Sequence, residues 1–67
     1  MKLIVNGVEK EFNKEELTIT DLIKILEIKS PAIAVAVGYD VIPKDQFNTY
    51  KLKEGDKVEI VHFVGGG

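Results

Sequence analysis

Early in the chain, Asn6-Gly7 separates two short runs in which apolar and polar residues alternate. A type I′ turn needs positive φ at both central positions, and Asn-Gly is the pair that meets this need most often. In Met1 to Asn6, the residues Met1, Leu3 and Val5 share one face, with Lys2, Ile4 and Asn6 on the other. Val8 to Phe12 returns as the second strand, and Lys10, on the face of Val8 and Phe12, is expected to snorkel at a sheet edge. The chain is thus predicted to open with an antiparallel hairpin, which rules out the strand–helix–strand start of a doubly wound sheet.

Asn13 to Leu17 reads as a polar connection. A helix start follows at Thr18-Ile19-Thr20-Asp21, with Thr18 as N-cap, Asp21 three residues on, and Thr20 as a rival cap. Ile19, Leu22, Ile23 and Leu26 fall at helical spacing and form one apolar stripe, while Lys24 and Glu27 lie on the other side. Ser30-Pro31 is expected to end the helix, because a residue before proline is pushed out of the α region.

Ile33 to Val37 is the third strand, with Ile33, Val35 and Val37 on one face and Ala32, Ala34 and Ala36 on the other. Gly38-Tyr39-Asp40 turns the chain into a short strand, Val41-Ile42, cut off by Pro43. Lys44 to Asn48 suits a turn of helix anchored by Phe47. In Lys53-Glu54-Gly55-Asp56, Gly55 supplies positive φ and Asp56 caps nearby backbone N–H groups. Val58 to Val64 is the last strand, with Val58, Ile60 and His62 facing one way and Glu59, Val61 and Phe63 the other. Hairpin, helix, strand, short strand and final strand make an α+β fold. A mixed sheet of four or five strands is expected to wrap one helix, the β-grasp arrangement, with the first and last strands parallel at its centre. Residues 1–67 read as a single domain, with 64–67 a flexible C-terminal glycine tail and no internal repeat or linker.

A chain of 67 residues with no cysteine has neither disulfides nor a zinc cluster to support its core. The core must be built from Val, Ile, Leu and the three phenylalanines, and a 45% hydrophobic content permits it. Net charge −2 argues against a nucleic-acid binder, which usually carries a basic patch. No apolar run approaches the roughly 20 residues that cross a bilayer, and no secretory signal pattern is present, so a cytoplasmic location is expected.

Side-chain catalysis has little support. Ser30 stands against Pro31, where a turn or cap role fits best. His62 is the only histidine, and a half-buried strand position is expected for it. Glu15-Glu16 belongs to a solvated connection, and no phosphate-binding glycine loop occurs. The ending is different in kind. Gly65-Gly66-Gly67 cannot serve a fold, because glycine loses the most entropy on ordering. Such a tail is either a frayed end or a narrow thread that presents an α-carboxylate to another protein. Ile4, Val61 and Phe63, pointing away from the helix, would join the alanine face of the third strand in an apolar docking patch beside it, with Val64 at its edge.

Three stretches carry a resemblance: Leu3-Ile4-Val5-Asn6-Gly7, Val41-Ile42-Pro43-Lys44-Asp45-Gln46-Phe47, and Leu52 through Val64-Gly65-Gly66-Gly67. Together they resemble the ThiS family, the ubiquitin-like sulfur carriers of thiamin biosynthesis. Two departures are Gly38-Tyr39-Asp40 in place of an Asn-rich turn and Phe47 where tryptophan is frequent. The resemblance implies a carrier that is not itself an enzyme and binds no cofactor. A ThiF-like adenylyltransferase, using ATP and magnesium, would join the Gly67 carboxylate to AMP. Sulfur from a donor such as a cysteine desulfurase would then displace AMP. The resulting thiocarboxylate would be consumed by a ThiG-like thiazole synthase. Gly65 and Gly66 would thread the partner's entry channel, and Ile4, Val61, Phe63 and Val64 would dock. No nucleic acid or membrane partner is implied. A molybdopterin-synthase small subunit, a ubiquitin-like protein modifier, and a β-grasp scaffold with an inert tail are the competing readings.

Overall fold

The computed structural model describes residues 1–30 and 32–62. Pro31 and the expected end of the last strand, together with Phe63, Val64 and the three terminal glycines, lie outside the described residues. Strands β1 (Lys2–Val5) and β2 (Val8–Glu11) form the opening hairpin, and φ is +49° at Asn6 and +81° at Gly7, as a type I′ turn requires. Next come β3 (Leu17–Thr18), helix α1 (Ile19–Ile25), β4 (Ile33–Val37) and β5 (Asp40–Ile42). A 3₁₀ turn (Lys44–Gln46), β6 (Lys51–Leu52) and β7 (Lys57–His62) complete the order.

The main sheet has five strands in the order β2-β1-β7-β4-β5. β1 and β7 are parallel, with Val5 beside Val58, and every other pairing in that sheet is antiparallel. This is the β-grasp architecture, with α1 as the single α-helix among the described residues. Leu3, Val5, Val35, Val37, Val58 and Ile60 line the inner face of the sheet and are all buried. From the other side Ile19 and Leu22 of α1, with Leu17, Phe47 and Leu52, close the core.

Four local expectations are revised. Leu17 is fully buried rather than part of a polar connection, because it pairs with Leu52 in a second, two-stranded sheet of β3 and β6. β2 is exposed along its whole length, Val8 included, because it is the sheet edge beyond the reach of α1. His62 is exposed rather than half-buried. The helix ends at Ile25, well before Ser30, and the reason is local.

Both ends of α1 are specified by short-range hydrogen bonds. At its start the Thr18 hydroxyl accepts from the Asp21 N–H, and Asp21 Oδ2 accepts from the Thr18 N–H, both at 3.1 Å. That reciprocal pair is a capping box. The hydrogen bonds from the Thr18 backbone and hydroxyl hold the Asp21 carboxyl below its ordinary pKa. At the other end the Glu27 N–H donates to Lys24 O and the Ile28 N–H to Ile23 O, each at 3.1 Å. This is a Schellman motif, and it puts Glu27 at φ +57°, where a side chain is strained. Ile23 and Ile28 both pack on the core, the contact that accompanies such a motif. Glycine at position 27 relieves the strain but adds entropy to the unfolded chain, so Glu27→Gly is expected to stabilise the domain by about 0.5 kcal/mol. Urea denaturation checks it, and a loss of stability contradicts the strain at Glu27.

Candidate functional site

The last described residue, His62, is the root from which Phe63 to Gly67 depart, and the surrounding framework fixes its place. β7 is the middle strand of the sheet. On one side β4 pairs with it continuously, from Val37 beside Val58 to Ile33 beside His62. On the other side β1 supports only its first part, because the chain turns away at Asn6. There the Asn6 side chain takes over from the strand. Its Oδ1 accepts from the Ile60 N–H at 2.7 Å, and its Nδ2 donates to Ile60 O at 3.2 Å. The amide therefore mimics one more residue of β1, extending β7's support toward the tail. The sequence places Asn6 at the end of the first strand and in the turn; no local signal shows that its side chain reaches a residue 54 positions away.

The outer face of the same region is apolar. Val61 on β7 lies beside Ala34 on β4, and Ala36 lies between Glu59 and Val41 of β5. Val61 and Val41 are 52% and 74% exposed, too open to be core residues. Together with Ala34 and Ala36 they line a shallow groove of about 190 Å³, its rim marked by Glu59. Alanine on β4 creates the hollow, since larger side chains there would fill it. Val41 was not singled out from the sequence, although the alternation Asp40-Val41-Ile42 around a buried Ile42 sets it outward.

Ile4 shares this outer face and is half-buried, but it stands beside Lys57 at the opposite end of β7 from Val61. Four residues of strand separate those positions, about 13 Å, and Glu59 intervenes. The groove therefore unites Val61 with the alanine face and leaves Ile4 apart. Phe63, Val64, Gly65, Gly66 and Gly67 lie outside the described residues. Among side chains that could react, Ser30 Oγ donates to Ala32 O at 3.3 Å, a turn role. His62 is exposed beside the register position of Ile33. Among the described residues no three His, Cys, Asp or Glu side chains cluster as a metal set would, and no helix is long and apolar enough to cross a membrane.

Known proteins are similar to this chain in sequence and fold. The ThiS family profile matches residues 3–67, from β1 through the final glycine. The chain belongs to the ThiS family. The sulfur carrier protein ThiS of Bacillus subtilis is 34% identical over 65 residues, which is 97% of this chain and 98% of that one. The crystal structure of a thiamine biosynthesis protein, ThiS from Geobacter metallireducens, superposes with a TM-score of 0.86 at 32% identity, covering both chains completely. A thiazole synthase of Paramagnetospirillum magneticum is 37% identical over all 67 residues, but the chain spans only 20% of that protein's length. Of the branches left open by the sequence, these relatives stand on the thiamin side. As a member of the ThiS family, the chain joins its glycine ending to β7, the middle strand of the sheet.

Proposed function

We propose that this chain carries sulfur for thiamin biosynthesis as a thiocarboxylate on Gly67. The observation that carries the reading is the ThiS family match, which runs through Gly65, Gly66 and Gly67. A free carboxylate is a poor acyl electrophile, because its oxygen is a poor leaving group. Attack of the Gly67 carboxylate on the α-phosphorus of ATP releases pyrophosphate and gives an acyl adenylate, whose AMP leaves readily. The magnesium and ATP belong to the adenylyltransferase that catalyses this step. The outer sulfur of a persulfide on a donor such as a cysteine desulfurase then displaces AMP to give an acyl disulfide. A thiol reductant cleaves its S–S bond, leaving the thiocarboxylate on Gly67 and a disulfide between donor and reductant. The chain has no cysteine, so no internal thiol competes for the activated carbonyl. The reacting group is backbone, and the chain is a co-substrate rather than an enzyme.

The consumer of that sulfur is a thiazole synthase. A Paramagnetospirillum protein of that name contains a segment like this whole chain within one polypeptide, which supports a synthase as the partner. Partner docking falls to the outer groove around Val61, with Ile4 farther along the same face and Phe63 and Val64 next in the sequence. A cytoplasmic setting fits a chain that works with ATP.

Pyrophosphate release by the cognate adenylyltransferase tests the reading. Release is expected to depend on this chain, and a rate that is the same without it contradicts the proposal. In the same assay Val61→Asp is expected to raise the KM for the carrier roughly tenfold, because it sets a charge in an apolar contact. An unchanged KM removes Val61 from the docking surface.

A further inference from the structure

A second groove lies on the helix side of the sheet, again near the root of the tail. Its floor is apolar: Ile23 and Ile28 flank the end of α1, Ile33 starts β4, and Phe47 follows the 3₁₀ turn. Its volume is about 350 Å³. Three lysines stand on its rim, and they come from three different parts of the chain. Lys24 belongs to α1, Lys29 to the segment after it, and Lys44 to the 3₁₀ turn.

The charge here runs against the chain as a whole, whose net charge is −2. Among the described residues, Lys2 is paired with Glu9 at 3.7 Å and Lys51 with Glu16 at 3.6 Å. No such ion pair within the described residues reaches Lys24, Lys29 or Lys44, although Lys24 acts at longer range on Asp21. Ile33 also ties the groove to the tail, because it is the register partner of His62. The root of the tail thus has an apolar surface on each face of the sheet, and only the helix-side one is ringed by cations.

We infer that this second groove seats an acidic segment with an apolar anchor, carried by the adenylyltransferase that activates Gly67. The inference rests on the carrier reading above. An apolar floor alone would accept any hydrophobe, whereas a lysine rim favours a partner whose apolar side chain is flanked by carboxylates. With the outer groove also engaged, the enzyme holds the sheet from both faces beside the root of the tail, which fixes the point from which the tail enters.

The test compares two charge-reversed triples in steady-state adenylation at saturating ATP. One is Lys24→Glu, Lys29→Glu and Lys44→Glu; the other is Lys10→Glu, Lys14→Glu and Lys53→Glu, an equal change of charge away from the groove. All six lysines are exposed, so both proteins should keep the wild-type circular dichroism spectrum. The groove triple is expected to raise the KM for the carrier roughly tenfold or more while leaving kcat within about twofold, and the control triple to shift KM less than about threefold. Equal shifts in both would mean general repulsion and overturn the groove, as would no shift in either. Should the groove triple fold poorly, the Lys→Gln triple at the same positions is expected to raise KM in the same direction, and an unchanged KM for it overturns the inference. Failure of the wild-type chain to be adenylated would strike the carrier reading itself and remove this occupant with it.

Discussion

Gly66→Ala is expected to lower adenylation of the chain by roughly a hundredfold, with the far-UV spectrum and melting temperature unchanged. The expectation follows from where the tail begins. β4 holds β7 through the Ile33–His62 pairing, and the Asn6 amide clasps Ile60 from the other side. Five residues then carry the chain to Gly67. A channel that admits bare backbone can close tightly around it, and the exclusion of water there protects an acyl adenylate from hydrolysis. A methyl group at position 66 either clashes with such a channel or displaces the carboxylate from the α-phosphorus. No side chain of the described core is altered, so stability should not move. Near-normal formation of the adenylate by this variant would contradict the threading of the tail.

Leu22→Ala carries the largest expected effect on stability. Leu22 is fully buried in α1 with Ile19, facing the inner side of the sheet. Truncating a leucine in such a place costs about 3 kcal/mol, from lost transfer energy and the cavity left behind. For a domain of this size the whole stability is on the order of 3–10 kcal/mol, and no disulfide shares the burden. The midpoint of thermal unfolding should fall by roughly 12–24 °C. Ile25, on the same helix but 43% exposed, is the control, with a cost below about 1 kcal/mol for alanine. Urea denaturation of the two variants separates them, and equal losses would contradict the packing of α1 on the sheet.

The parts of the fold that were legible in the sequence are those fixed over short range. Asn6-Gly7 specified its own turn, Thr18 and Asp21 their capping box, and Ile33 to Val37 its strand with the correct inward face. Gly55 takes φ +82°, and Asp56 accepts from the Lys53 N–H at 2.8 Å, as that tetrapeptide suggested. What escaped depends on partners far along the chain. Leu17 looks solvated beside Glu15 and Glu16 until Leu52 arrives to pair with it. Ser30-Pro31 is the visible stop because proline breaks helices, whereas the Schellman bonds at Glu27 act earlier and use a residue seldom found there.

The candidate site divides in the same way. The outward parity of Ile4 and Val61 follows from alternation alone, and both do lie on the outer face. Their separation along the sheet follows from the parallel register that sets Ile4 beside Lys57, and no local pattern encodes that register. The basic groove is further from view, since Lys24, Lys29 and Lys44 look like ordinary solvated lysines until the fold gathers them.

Intact-mass spectrometry bears most directly on the central claim. The chain is incubated with the adenylyltransferase, ATP, magnesium, a persulfide-bearing sulfur donor and a thiol reductant that cleaves the acyl disulfide, then weighed. The expected result is a gain equal to one sulfur replacing one oxygen, present only when ATP is supplied and located by fragmentation at Gly67. A chain that keeps its original mass under conditions where the enzyme is shown to be active would contradict the account.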